Sequence, residues 1–497
     1  MKTLLLFSCA LTAFALDFPM SLAVAPDGRV LALSAGAKPS IGIVDGLEVS
    51  LPDAFLGLTF APGGKTVYAG GGARGVIYEF SYAAGELKLV REMKAGDFVG
   101  DVAFSPDGRL IYAADLFANF IAVINPQSGR VIERFKTARR PYRILFHPDG
   151  ASYFVSSWAD ADVIQYNTVN GQEIGRLRLG PHTTDMVLSA YKPESGDGQP
   201  AQDWKYRLFV AASNTNSVYV VGIGGNKTMN LVDTISVAPP ATSFVSPLGM
   251  TPSALALSAD QKHLYVACSD ANAVASVNVS DVRGVLEGFI PAGAYPAAVR
   301  TQGDQLWVAS ARANTVALVE ASPKPLASPP AADAPAAEHV VYIVRETQPE
   351  AFMRAVAGTA PDYTVKMGRR GNFDLADPAN TPMAGYLWTS AASAGLTVAN
   401  YGVFTRNGQS LDPGARAFSK PVAADFIEDL KLFQNTGALP RLVVIQIADK
   451  PAADEPTIDS VKAAIAKSRF ASKTQVVVGE LRRAEALLGL RPMTRND

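Results

Sequence analysis

Between Pro19 and Glu320 the chain repeats one short grammar, clearest as Val102-Ala-Phe-Ser-Pro-Asp-Gly-Arg-Leu-Ile-Tyr112. It recurs at Leu22–Leu31, Leu58–Tyr68 and Ile144–Tyr153. Weaker copies sit at Met186–Ser189 with Leu208–Ala211, at Leu255–Tyr265 and at Val299–Trp307. The prolines at 26, 62, 106 and 148 are 36, 44 and 42 residues apart. A period of about forty residues in a strand-rich chain belongs to radially repeated small sheets.

Each unit has the same internal order. An alternating apolar run meets Pro-Asp-Gly, where proline presets φ and glycine accepts positive φ. A second apolar run (Leu110–Ala113) and a polar turn (Asp115–Asn119) follow. A third run (Phe120–Ile124) is closed by Asn125-Pro-Gln-Ser-Gly129, and a weaker fourth spans Val131–Phe135. That is a four-stranded antiparallel meander, one blade of a propeller. One blade cannot bury both faces, so the blades pack side by side in a ring, and seven copies predict seven blades. Blade seven offers three strands before a proline-rich stretch. The sequence shows no spare strand before Pro19 to complete it.

The amino terminus reads as a cleaved secretory leader over residues 1–15: a basic start at Lys2, a short apolar core and Ala13-Phe14-Ala15 as an A-x-A site. A lipid-attachment reading at Leu6-Phe-Ser-Cys9 is poorer, because the apolar core before Cys9 is very short and Phe7 is bulky. The mature chain is then expected to be soluble and exported, periplasmic or extracellular, with no transmembrane segment. Cys9 leaves with the leader and Cys268 stands alone, so no internal disulfide is expected. Net charge is −1 with 18% charged residues, which argues against a nucleic-acid surface. Four scattered histidines (His147, His182, His263, His339) argue against a copper or haem cage.

Ala321–Glu338 carries five prolines and seven alanines in eighteen residues and reads as a semi-rigid linker. The ring is therefore assigned to 16–320 and a second domain to 339–497. In that domain His339–Val344, Leu442–Ile447 and Thr474–Val478 are continuous apolar strands. Ala384–Ala394, Ala423–Phe433, Ile458–Ser468 and Arg482–Leu490 have helical spacing. Strands alternating with helices predict a parallel α/β sheet. The fold class is mainly β: a seven-bladed β-propeller followed by a smaller, truncated α/β domain.

Residues 19–320 resemble the YVTN-type β-propeller repeats of bacterial exported proteins. Thr251–Ser258, Leu264–Val274 and Phe289–Pro296 resemble the version joined to a C-terminal phosphoesterase domain of the alkaline-phosphatase superfamily. Val340–Glu346, Gly371-Asn-Phe-Asp374, Ala384–Trp388, Gly395–Tyr401 and Ala484–Met493 are similar to that domain. The resemblance implies a divalent metal in a cage of hard oxygen ligands beside a hydroxyl nucleophile. The family's first strand ends Glu-Asn; here it ends Glu346-Thr347. The segment with the Ser/Thr nucleophile is missing, since only Gln348–Arg369 precede Gly371. The hydroxyls Thr347, Thr364 and Ser390 have no base near them in sequence. The paired aspartates are reduced to Glu480, and an Asn-Asp-His motif stands as Ala448-Asp449-Lys450. The domain thus reads as a scaffold without its chemistry, with Glu346, Asp449 and Glu480 as solvated strand-end carboxylates.

Candidate ring residues come from aligning the innermost strands: Ser21, Gly57, Asp101, Arg143, Asp185, Ala254 and Ala298 form one column. Acid, base and acid in successive blades read either as an internal ion-pair ladder or as a pocket at the channel mouth. Arg134, Lys136, Arg139, Arg140 and Arg143 place five cations in ten residues, either a solvated loop or an anion patch. The insertion Tyr191–Lys205, with Trp204 at its end, reads as a surface loop suited to recognition. The function expected is exported, non-catalytic binding or scaffolding without a cofactor, the partner being a protein, a glycan or an anionic small molecule on the propeller face. Its alternative is a metal-dependent phosphoesterase with a reduced divalent site at Glu346, Thr347, Asp449 and Glu480. A lactonase or quinoprotein in the ring ranks last, because the column offers only Asp101 and Asp185 as carboxylates.

Overall fold

The computed structural model describes residues 13–83, 85–193, 204–225, 227–238, 249–324, 337–346, 348–368, 377–382, 385–403, 405–406, 409–410, 418–420, 424–448 and 456–490. The chain divides into two compact units, Met1–Pro239 with Met250–Leu326 and Pro240–Gly249 with Ala327–Asp497.

The first unit is a ring of seven four-stranded antiparallel sheets. Blade one is β2 (Pro19–Val24), β3 (Val30–Ser34), β4 (Ser40–Ile43) and β5 (Glu48–Ser50), and β1 (Ala13–Ala15) precedes it. Blade two is β6 (Leu58–Phe60), β7 (Thr66–Gly70), β8 (Val76–Ala83) and β9 (Glu86–Lys94). Blade three is β10 (Val99–Phe104), β11 (Ile111–Asp115), β12 (Phe120–Asn125) and β13 (Arg130–Lys136). Blade four is β14 (Pro141–Phe146), β15 (Ser152–Ser157), β16 (Asp162–Asn167) and β17 (Glu173–Arg178). Blade five is β18 (Thr183–Ser189), β19 (Trp204–Ala212), β20 (Ser217–Gly224) and β21 (Met229–Ser236). Blade six is β22 (Pro252–Leu257), β23 (His263–Cys268), β24 (Ala273–Asn278) and β25 (Val285–Pro291). Blade seven holds β26 (Pro296–Gln302), β27 (Gln305–Ser310) and β28 (Thr315–Val319).

Blade seven corrects the sequence reading. Its fourth strand is β1, antiparallel to β28 with Ala13 opposite Ala317, Phe14 opposite Val316 and Ala15 opposite Thr315. The Leu16 N–H then donates to the Asn314 carbonyl at 3.0 Å, and the Phe18 N–H to the Asn314 side chain at 3.0 Å. One sheet thus joins both ends of the ring. The small–aromatic–small triplet that resembles a cleavage site also suits an edge strand.

The repeated turn holds neighbouring blades together. Asp107 accepts from the Arg109 N–H at 3.1 Å and Asp149 from the Ala151 N–H at 2.9 Å, the self-bonding turn that aspartate favours. Gly108 sits at φ 70°, and a Cβ there would lie 2.9 Å from Pro62 Cγ of the preceding blade. Proline of one copy therefore packs on glycine of the next, which explains why both recur. Between blades the sheets bury apolar faces, as in the cluster of Ile111, Ala113, Ala122 and Ile124 against Tyr68, Ile77 and Met93.

The second unit holds a five-stranded sheet in the order β33 (Phe418–Lys420), β30 (Val398–Tyr401), β34 (Leu442–Ala448), β29 (His339–Glu346), β35 (Thr474–Val478). Every pairing in it is parallel. A small hairpin pairs β31 (Thr405–Arg406) with β32 (Gln409–Ser410). Its α-helices are α1 (Pro349–Ala357), α2 (Asp362–Met367), α3 (Leu387–Ser393), α4 (Ala424–Thr436), α5 (Ile458–Ala466) and α6 (Leu481–Leu488). The last four lie where the helical spacing predicts them; α1 and α2 occupy a stretch the sequence reading leaves without elements. Val341, Ile343, Val443 and Ile445 are fully buried against α4 and α5 side chains such as Phe426 and Val461, as strands covered by helices require. Among the described residues, no helix is long and apolar enough to cross a membrane.

Candidate functional site

The first strand of each blade touches the first strands of its neighbours, so these strands line the axis of the ring. Asp101 lies on β10, Arg143 on β14 and Asp185 on β18, at equivalent positions of three successive blades. The structure brings all three together. Arg143 Nη1 donates to Asp101 Oδ1 at 2.9 Å and Arg143 Nε to Asp185 Oδ1 at 2.8 Å. The carboxylates are 2% and 4% exposed, and the Arg143 side chain 13%.

The remaining oxygens bind backbone across blade boundaries. Asp101 Oδ2 accepts from the Ile144 N–H at 2.8 Å, and Asp185 Oδ2 from the Leu255 N–H at 2.9 Å. Arg300 on β26 brings a second guanidinium 3.9 Å from Asp185 Oδ2. Column alignment pointed at Ala298 and missed it. Residues 298 and 300 share one face of a strand, so the period-two rule carries the signal.

These partners set the protonation chemistry. Burial pushes the Asp101 carboxyl above its ordinary range, since one guanidinium does not offset its desolvation. Burial also pushes Asp185 up, but Arg143 and Arg300 together outweigh it and hold it below the usual carboxylate range. Burial alone would lower Arg143; Asp185 and Asp101 outweigh it and hold its guanidinium above the ordinary value. The cluster is a charge ladder closed on itself.

Arg134, Arg139 and Arg140, at the same junction of blades three and four, also have intramolecular partners. Arg139 pairs with Asp160 at 2.6 Å. Arg140, at φ 55°, donates from Nη1 to the Leu116 carbonyl at 3.3 Å and lies 4.8 Å from the centre of the Phe117 ring. Arg134 lies 5.4 Å from the Phe120 ring centre.

Trp204 opens β19 and is buried rather than displayed. With Tyr191 and Phe209 it surrounds the Arg207 guanidinium, at 5.7, 5.8 and 5.3 Å from the ring centres. Arg207 donates to the Asp281 and Val279 carbonyls at 2.8 and 2.6 Å, latching blade five to blade six. The 194–203 part of the predicted recognition loop lies outside the described residues. Among the histidines, His147 meets Asp149 at 2.9 Å, His263 meets Glu287 at 3.5 Å and His339 meets the Pro440 carbonyl at 3.1 Å.

In the α/β unit the parallel order β34-β29-β35 sets three strand ends side by side. Glu346 ends β29, Ala448 ends β34, and Glu480 follows β35 by two residues. Thr347 and Asp449 lie outside the described residues. The Glu480 side chain is 63% exposed, with the Arg483 guanidinium 3.9 Å away. Among the described residues, no three His, Cys, Asp or Glu side chains converge for a metal. Thr364 donates to Asn380 Oδ1 at 2.7 Å, and both are fully buried.

No family model matches the chain, and no curated protein matches it. Among solved structures it is similar to hydrazine synthase of Kuenenia stuttgartiensis, 16% identical, with a TM-score of 0.50 over 62% of this chain and 97% of that one. It is also similar to virginiamycin B lyase from Staphylococcus aureus, 14% identical, with a TM-score of 0.47 over 63% of this chain and 99% of that one. The hydrazine synthase likeness is one of fold alone.

Proposed function

We propose that this chain is an exported binding or scaffold protein. The seven-bladed ring is its working body, and its C-terminal α/β domain is a phosphoesterase-like skeleton without catalysis. The observation that carries this reading is the closure of the axial charges. All four oxygens of Asp101 and Asp185 are engaged by Arg143, Arg300 or backbone amides. A catalytic carboxylate needs a lone pair aimed at substrate, metal or a proton in flight. A carboxylate spent on its own ring supports rigidity instead, and rigid elements present loops well. The solvated Glu480 supports the same reading for the second domain. The basic, apolar start of the sequence supports export to the periplasm or the medium, with Ala13–Ala15 kept by the ring as β1 rather than lost with a leader.

A phosphoesterase with a reduced divalent site is favoured by one observation, the strand order. Open α/β sheets bind ligands beyond the carboxyl ends of their strands. Glu346 and Glu480 both fall at that edge. The two readings separate in one assay. The purified full chain is offered p-nitrophenyl phosphate and bis(p-nitrophenyl) phosphate with Mg²⁺, Mn²⁺, Ca²⁺ or Zn²⁺. The binding reading expects no turnover above the metal-only blank. Turnover that disappears in Glu346→Gln would replace it with the esterase.

A further inference from the structure

The first strands of the blades lose burial as they run toward the Pro-Asp-Gly turns. At the level of Asp101 and Asp185 the axis is closed, and Ser21, Ala254 and Ala298 are buried with them. Two residues further along, on the same face of each strand, Ala23, Thr59, Ala103, Leu145 and Val187 are half-buried, and Ala256 is buried. The seventh position of that level is Arg300, with a side chain 28% exposed. It is the one charged group among the seven.

The carboxylate oxygens of the axial ladder are all taken; its guanidinium donors are not. Arg143 spends Nη1 on Asp101 and Nε on Asp185. Arg300 spends Nη1 on the Val299 carbonyl at 2.7 Å. Among the described residues, Arg143 Nη2 and Arg300 Nε and Nη2 meet no hydrogen-bond acceptor, and none of the three is sealed from solvent. Asp185 does not satisfy Arg300. Its Oδ2 lies 3.9 Å away, beyond hydrogen-bond reach, and already accepts from the Leu255 N–H at 2.9 Å. Its Oδ1 accepts from Arg143 at 2.8 Å and from the Met186 N–H at 3.0 Å. Burial pulls the Arg300 guanidinium below its ordinary value; Asp185 does not offset that pull, and Arg143 adds to it.

Round the axis the charges alternate from Asp101 through Arg143 and Asp185 to Arg300. Blades one and two then offer only Ala23 and Thr59 at the level of Arg300, with Ser21 and Gly57 beneath them. The alternation stops at a cation. A forked donor facing a channel with small and aliphatic walls fits a carboxylate that carries an apolar body, and no second cation stands at that level to balance a dianion. We propose that the axial channel binds a small organic monocarboxylate, its carboxylate on Arg300 as the absent anion of the ladder and its apolar part across the axis against Leu145 and Val187. The proposal rests on the ring being a binding body and names its ligand class. The two fail separately, because the phosphate-ester assay reads the α/β domain and a carboxylate titration reads Arg300.

The test is isothermal titration calorimetry of the full chain with benzoate and butyrate. Benzamide, butyramide and inorganic phosphate are the controls, at matched ionic strength. Saturable binding of at least one carboxylate is expected, with its amide weaker by about tenfold or more because it lacks the charge. Arg300→Gln should weaken the carboxylate roughly tenfold to a hundredfold, the loss of one charge-assisted contact. Arg300→Lys should weaken it less, since the charge stays and the fork is lost. Blade one lies against blade seven, so Ala23→Asp sets a resident carboxylate beside Arg300 at its own level. It should occupy the guanidinium and remove the heat of carboxylate binding. Ala23→Asp decides the matter if far-UV circular dichroism shows that Arg300→Gln unfolds. No saturable carboxylate binding, equal binding of the amide, tighter binding of phosphate, or an affinity unmoved by both Arg300→Gln and Ala23→Asp would overturn the proposal.

Discussion

Replacing Arg143 by methionine removes the one group that bridges Asp101 and Asp185 while keeping most of the side-chain volume. Asp185 retains Arg300 at 3.9 Å, so the burden falls on Asp101, 2% exposed and left without a cation. Breaking a buried pair by removing one partner costs about 3–5 kcal/mol. Protonation sets a ceiling on that cost. Neutralising a carboxyl of ordinary pKa at pH 7 takes about 4 kcal/mol, and about 1.5 kcal/mol at pH 5, at about 1.4 kcal/mol per unit. The sign follows: a carboxyl whose folded pKa rises above its unfolded value favours folding at low pH, and that contribution is lost as pH rises. Arg143→Met should therefore be destabilised by about 3–4 kcal/mol at pH 7 and by less than about 2 kcal/mol at pH 5. Adding Asp101→Asn should recover most of the loss, because the amide needs no counter-charge. Urea unfolding followed by tryptophan fluorescence reads this, with Trp158, Trp204 and Trp307 all in the ring. A loss below about 1 kcal/mol at pH 7, or a loss equal at both pH values, would show that water from the channel solvates the carboxylates and that the ladder is not a structural element.

Deleting residues 1–15 should lower the thermal midpoint of the ring relative to deleting residues 1–12. The difference is about 2–4 kcal/mol for a three-pair strand and its hydrogen bonds at about 1 kcal/mol each, read by calorimetry on both truncations. Cys268 is fully buried, and its thiol is pushed up to about 12 by that burial. Folded protein should resist alkylation, and ring stability should fall between about pH 9 and pH 12, because the unfolded thiol ionises first. Cys268→Ala should flatten that part of the pH–stability curve. Lys366 and Asp362 of α2 pair at 3.0 Å with no solvent exposure. Lys366→Met should therefore destabilise the α/β unit by about 3–5 kcal/mol, seen in Trp388 fluorescence, and leave the ring transition unmoved.

The ring was legible because its instructions are local and repeated. Pro-Asp-Gly sets each turn, alternation sets each strand, and seven copies of a two-faced sheet have one economical closure. Asp101, Arg143 and Asp185 could be paired from sequence because repetition gives each blade the same coordinates. Arg300 was missed because the alignment followed one column and its guanidinium reaches across from two residues further along β26. The closing strand was hidden by degeneracy: Ala13-Phe14-Ala15 satisfies the residue sizes of a cleavage site and the pattern of an edge strand equally well. Trp204 misled for a related reason. An aromatic at the end of a polar insertion looks like a recognition residue, and here it is part of the wall around Arg207. In the second domain the parallel strands announced themselves by unbroken apolar runs. The helices α1 and α2 did not, since neither is long enough to develop a clear period.

The distribution of charge ties these observations together. A guanidinium between two carboxylates on the axis does not add much net stability over an apolar filling, because desolvating three ions offsets their attraction. What it adds is register. Asp101 holds the Ile144 amide and Asp185 the Leu255 amide, so each carboxylate fixes the inner strand of the next blade at one height. A slip of one residue would strand an ion in the interior, which makes the blade positions discrete. Arg143→Met together with Asp101→Asn and Asp185→Asn should thus leave the fold standing and speed amide hydrogen exchange at Ile144 and Leu255, whereas unchanged exchange at both amides would show that the axial charges do not set the register.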